Sequence, residues 1–140
     1  MEYEFTVDAE GLVAVALSAD LPLMGEALQD SIGTHPPVGA AKGGPSTYWI
    51  DEALKGLRAR IEDDSDEPFA SGNMTYLRAG HGVVEARYDY APDDDQLVDA
   101  VPVDEFVDLL GAWRRRVLAE SPTADQHKPP PPHVWTMPPG

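Results

Sequence analysis

No cysteine occurs among the 140 residues, which removes disulfide bridges, thiol nucleophiles and cysteine-based zinc sites together. Basic side chains are scarce: ten Lys and Arg stand against 25 Asp and Glu, for a net charge of −15. A field of that sign repels nucleic-acid phosphates and anionic head groups, so neither nucleic acid nor a membrane surface is an expected partner. Long apolar runs are missing too, and the longest, Leu12 to Leu17, is far short of a membrane span. The N-terminus MEYEFTVDAEG is acidic and alternating, where a secretory signal needs a positive start and an apolar stretch. With no cysteine and no such signal, the expected location is the cytoplasm. A chain of this length with 42% hydrophobic residues can bury a core as one domain without disulfides or metals.

What the chain has in excess is carboxylate. Residues 88–108 carry Asp89, Asp93, Asp94, Asp95, Asp99, Asp104, Glu105 and Asp108 with no Lys or Arg between them. A second run holds Glu62, Asp63, Asp64, Asp66 and Glu67. An acidic proteome or a need for solubility produces such charge without any partner. The functional reading is a surface that meets a basic protein. Asp104, Glu105 and Asp108 open a predicted helix, where they favour its dipole. Asp89, Asp93, Asp94, Asp95 and Asp99, with Glu62, Asp63, Asp64, Asp66 and Glu67, lack such a local structural reason and are the candidate partner-binding residues.

Periodicity supplies the elements. Residues 2–8 alternate, with Tyr3, Phe5 and Val7 on one face, and Asp8-Ala-Glu-Gly11 turns the chain into a second strand over 12–18. A short helix is predicted from Asp20 and Pro22 to about Ile32. Residues 33–45 are too rich in Gly and Pro for regular structure. Ile50, Leu54, Leu57 and Ile61 mark a helix over 47–62 with Ser46 as its N-cap. Residues 73–79 and 83–90 form a hairpin around Gly80-His81-Gly82, with Leu77, Val84, Ala86, Tyr88 and Tyr90 toward the core and Glu85, Arg87 and Asp89 on a wet face. Val103, Phe106, Val107, Leu110, Trp113 and Val117 define a helix over 102–120. Beyond Glu120 the composition turns proline-rich, predicting a single domain over 1–120 and an extended tail over 121–140. The order β-β-α-α-β-β-α points to an α+β fold, an antiparallel sheet of about four strands with helices on one face.

No motif for catalysis stands out. An EF-hand beginning at Asp93 would need oxygen, Gly and Glu where Leu97, Val98 and Asp104 stand. The glycine-rich stretch 39–47 lacks the Lys-Ser/Thr pair of a phosphate loop. His35, His81, His127 and His133 are scattered at spacings that place no two on one face. Triads assemble in space, so residue types leave Ser-His-Asp chemistry open, but no G-x-S-x-G elbow is present. No catalytic residue, cofactor or metal is therefore assigned. Tyr88 and Tyr90 have two readings: alternation turns both rings inward, whereas a tyrosine exposed at the strand end would be an anchor ringed by carboxylates.

The stretch Asn73-Met-Thr-Tyr-Leu, a glycine turn, Val84-Glu-Ala-Arg-Tyr-Asp-Tyr90, an acidic loop and Val101-Pro-Val-Asp-Glu-Phe-Val-Asp-Leu-Leu-Gly-Ala-Trp-Arg114 resembles the C-terminal half of small acidic immunity proteins. These are encoded beside bacterial polymorphic or contact-dependent toxins. The resemblance covers about residues 73–118. It implies a cytoplasmic, single-domain, non-enzymatic protein that binds a cognate toxin domain, and it carries over no catalytic residue. Many such toxins are nucleases with basic substrate surfaces, which an acidic inhibitor can match and approach quickly. Two other readings remain at this point: an accessory domain acting through Pro129 to Pro132 of the tail, or a small enzyme with an unrecognised site.

Overall fold

The computed structural model describes residues 1–40 and 43–126. Most of the proline-rich tail, with Pro129 to Pro132, His127 and His133, lies outside them.

The N-terminal alternation forms β1 (Tyr3–Val7) and β2 (Val13–Leu17), paired antiparallel with Phe5 opposite Val15. Asp8 makes the turn by accepting the Glu10 and Leu12 amides at 2.9 and 3.0 Å, and Gly11 supplies the positive φ of 84°. β2 buries Val13 and Val15 in the core, and from β1 Phe5 packs against it partly buried. The fastening point of β2 is Val13, whose amide donates to Thr34 Oγ1 while its carbonyl accepts from that hydroxyl and from Trp113 Nε1 at 3.0 Å. β1 rides outside as a ribbon edge, and Tyr3 and Val7 remain 37% and 38% exposed.

The chain continues through α1 (Pro22–Ala27) into a π-helical turn over Leu28–Ile32. Leu23, Met24, Ala27, Leu28 and Ile32 face inward. α2 (Tyr48–Glu62) has Thr47 rather than the expected Ser46 at its N-cap position; Ser46 Oγ accepts the Tyr48 amide at 3.1 Å from one residue earlier. It buries Ile50, Ala53 and Leu57 but leaves Ile61 exposed. Gly56 lets this helix lie directly on the chain at Phe69, since a Cβ there would sit 3.2 Å from the Phe69 carbonyl oxygen.

The second half contributes β3 (Ala70–Ser71), β4 (Thr75–Gly80), β5 (Val83–Tyr88) and β6 (Val98–Pro102) to one antiparallel sheet in that order, followed by α3 (Val103–Glu120). The α+β class and a four-stranded antiparallel sheet thus agree with expectation, but the strands differ. The N-terminal hairpin forms its own two-stranded ribbon, and β3 and β6 complete the sheet in its place. β6 hides within the stretch predicted as an acidic loop, because Val98 and Val101 are too few to signal a strand beside so many aspartates.

Leu77, Ala79, Val84, Ala86 and Val101 line the inner face of the sheet. Against it the helices set Ile50, Leu57, Phe106, Leu109, Leu110, Trp113 and Val117, all nearly sealed from solvent. A buried aromatic of this kind is worth about 3–5 kcal/mol when truncated to alanine, and Trp113 adds its bond to Val13. The outer face carries Tyr76 opposite Arg87 and Arg78 opposite Glu85. The packed body runs past the expected boundary at Glu120: Ala124 is buried, and its carbonyl accepts the Thr47 amide at 3.2 Å. Among the described residues no helix is long and apolar enough to cross a membrane.

Candidate protein-interaction site

β5 ends at Tyr88, where the Ala91 amide donates to the Tyr88 carbonyl at 3.1 Å and folds Asp89 and Tyr90 into a turn. The turn throws Tyr90 off the sheet, leaving it 67% exposed, so the inward reading of this ring is overturned. Its ring stacks on Tyr88 with centroids 4.9 Å apart and planes 22° from parallel. Tyr88 is half-buried against the core, and its hydroxyl donates to Glu26 Oε2 at 2.7 Å. That hydrogen bond, then burial, then the negative charge of Glu26 push the Tyr88 hydroxyl up to about 12. The stacked pair is therefore a fixed aromatic platform with one open face.

The chain then turns back over the outer face of the sheet. Arg87 Nη1 donates to the Pro92 carbonyl at 2.8 Å, and Nη2 reaches Asp95 Oδ1 at 3.2 Å and Glu85 Oε2 at 3.3 Å. Arg87 is only 4% exposed as a result, so the face predicted as wet is dry at this position. Its Nε is buried without a partner. Burial raises the Glu85 carboxyl, but hydrogen bonds from Arg78 and Arg87 outweigh it and hold Glu85 below the usual carboxylate range.

The candidate acids separate accordingly. Asp89 and Asp93 are exposed and have no side-chain partner among the described residues, and Asp94 accepts only the nearby Gln96 amide at 2.9 Å. Asp95 is turned to Arg87 while remaining mostly in solvent. Asp99 sits on β6, and its Oδ2 accepts the Met24 amide at 2.8 Å. It caps α1, whose own N-cap residue Leu21 has no side-chain oxygen. A structural role for Asp99 was invisible locally because its donor lies 75 residues away in the chain.

The other run follows α2. Glu67 pairs with Arg60 at 3.3 Å, whereas Glu62, Asp63, Asp64 and Asp66 are exposed and have no side-chain partner among the described residues. Asp64 and His81 border one small cleft of about 270 Å³, which places this run beside the β4–β5 turn. Asp89 lies at the opposite end, where its amide donates to the Met74 carbonyl. Six residues of strand separate the two ends, about 20 Å. The runs form two patches.

The carboxylate with the most donors carried no sequence signal. Asp30, on the π-helical turn, accepts the Asn73, Met74 and Thr75 amides at 3.1, 3.0 and 2.9 Å and the Thr75 hydroxyl at 2.8 Å. Burial works against its ionisation, but these bonds prevail and lower its pKa. Gly72 is required there, because any Cβ would overlap the Asp30 backbone and carboxylate. His35 and His81 are exposed, and no three His, Asp or Glu side chains converge as metal ligands among the described residues.

No family model matches this chain, and no curated protein or solved structure matches it either.

Proposed function

We propose that the chain is a non-enzymatic binding protein that recognises a basic protein surface, acting as an immunity protein that blocks a cognate, nuclease-like toxin domain. The observation that carries this reading is the exposed Tyr90, stacked on Tyr88 and flanked by Asp89 and Asp93, whose side chains have no partner among the described residues. A tyrosine held by stacking loses little freedom on binding and can bury a large ring while its hydroxyl hydrogen-bonds. Unpaired carboxylates beside it supply partners for Arg or Lys. The net charge of −15 adds long-range attraction that raises the association rate. The resemblance over residues 73–118 supplies the toxin-neutralising context. The run at 62–67 lies at the other end of the hairpin and contributes field rather than contacts in the tyrosine patch.

The test is calorimetry and stopped-flow binding with the basic domain encoded beside this gene, at 50 and 300 mM salt. Tyr90→Ala is expected to weaken the complex at least tenfold, mainly through faster dissociation. Asp89→Asn with Asp93→Asn is expected to slow association and flatten the salt dependence. Unchanged affinity in all three substitutions, or a neighbouring protein that does not bind at 50 mM salt, refutes the reading.

A further inference from the structure

The ribbon of β1 and β2 has an edge that no other described residue pairs with. The Asp8 amide donates to the Leu12 carbonyl and the Ser18 amide to the Glu2 carbonyl. In the register Glu4 to Ala16 and Thr6 to Ala14, the even-numbered residues therefore exchange hydrogen bonds with β2. The amides and carbonyls of Tyr3, Phe5 and Val7 point the other way. No strand pairs with that edge among the described residues.

Natural edges are blunted by proline, bulges, short length or charge, lysine above all. β1 has neither Pro nor Lys and its register is unbroken from Tyr3 to Val7; the only charges along it are Glu2, Glu4 and Asp8, which repel an acidic or identical strand but not a basic one. Its two faces are chemically distinct. Tyr3, Phe5 and Val7 offer a partly covered apolar face, and Glu2, Glu4, Thr6 and Asp8 an acidic one. On the acidic face Glu4 lies beside the small side chain of Ala16, and an open trough of about 590 Å³ runs along Met1, Glu2, Glu4, Ala16 and Ser18 at this end of the ribbon. Such a trough has room for the long stem of a Lys or Arg whose head reaches the carboxylates. A second copy of the chain does not fit, because antiparallel self-pairing about Phe5 would set Glu2 against Asp8. No Lys or Arg occurs before Lys42 to relieve that repulsion.

We propose that the free edge of β1 is a strand-addition site for an extended partner segment in which Lys or Arg alternates with aliphatic residues. The backbone of the segment pairs with Tyr3, Phe5 and Val7, its basic side chains enter the trough, and its aliphatic ones cover the apolar face. This site is separate from the tyrosine patch and stands whether or not the toxin-binding reading holds.

The probe is the peptide acetyl-Lys-Val-Lys-Val-Lys-Val-amide, added to the full chain and followed by amide NMR and hydrogen exchange. Exchange at Tyr3, Phe5 and Val7 is expected to slow at least tenfold at saturation, with affinity falling at least fivefold between 50 and 300 mM salt. Peptides N-methylated at alternate residues should divide, one set losing binding and the other retaining it, because only one edge of the added strand is paired. Phe5→Pro should abolish binding while keeping the β1–β2 ladder, since the amide it removes faces outward; if this variant fails to fold, the two N-methylated sets still decide. Equal binding by the block peptide acetyl-Lys-Lys-Lys-Val-Val-Val-amide, or perturbation confined to residues around Tyr90, overturns the proposal. So does protection of the same three amides by the protein alone as its concentration rises.

Discussion

The two ends of the β4–β5 hairpin carry the same kind of charge and use it differently. Around Thr75 and Tyr88, Asp30 accepts four hydrogen bonds, Glu26 holds the Tyr88 hydroxyl, and Asp99 caps α1. Around Gly80 to Gly82, Glu62, Asp63, Asp64 and Asp66 meet only solvent among the described residues. A carboxylate that satisfies buried donors is structural, whereas one that meets water adds field and self-repulsion. At the Tyr88 end, Asp89, Asp93 and Tyr90 are left over after the structural acids have been assigned, on a scaffold those acids make rigid.

The sharpest way to break this contrast is to remove Asp30. Asp30→Ala leaves the Thr75 amide without an acceptor and the Thr75 hydroxyl with Ser31 Oγ alone, and is expected to cost about 3 kcal/mol in urea denaturation. The same residue sets an acid response. Its folded pKa lies below the unfolded one, so stability present at neutral pH declines as pH falls below about 4 and continues to decline through the lower folded value. Glu85 acts in the same direction. An Asp30→Asn variant should show a shallower loss of stability on acidification, and an unchanged acid profile would refute the assignment.

Arg87→Ala comes next, at about 2 kcal/mol, because it withdraws the cation from Glu85 and Asp95 and the donor from the Pro92 carbonyl. Hydrogen exchange should show faster amides across residues 91–97 at unchanged exchange in α3. A loop that stays protected would mean that something other than Arg87 holds it to the sheet.

Tyrosinate absorbance tests the platform with a smaller effect. Tyr88 should ionise at about 12, and Glu26→Gln should return it toward the ordinary value near 10. The sign is that of a raised pKa: the stabilisation is complete below the unfolded value and disappears as pH rises through the folded one. Least of all, Asp63→Asn with Asp66→Asn should change stability by under about 0.5 kcal/mol, and upward at low salt as self-repulsion is relieved. A large loss there would show that the turn end is structural after all.

Much of the fold was legible because its signals are local. α2 and α3 followed from apolar spacing, and both hairpins from alternation around glycine turns, with boundaries displaced by only a residue or two at most ends. β3 escaped because two residues carry no periodicity, and β6 because aspartates interrupt it. In the candidate site, alternation places Tyr90 inward and leaves the outward reading as the alternative; deciding between them needs the position at which β5 stops pairing with β4, and Thr75 opposite Tyr88 supplies it. Arg87 read as a solvated strand residue, since nothing in its neighbours announces that the chain folds back over it.

Charge, the lack of cysteine chemistry, and the helices and hairpins whose hydrogen bonds close within a few residues are all written in local sequence. Tertiary structure alone decided which carboxylates are free. Asp99 finds its donor at Met24, Asp30 at Asn73 to Thr75, and Glu26 at Tyr88. A carboxylate is identical in sequence whether it faces water or an amide, and the amide that claims it comes from a segment brought near only when the core closes.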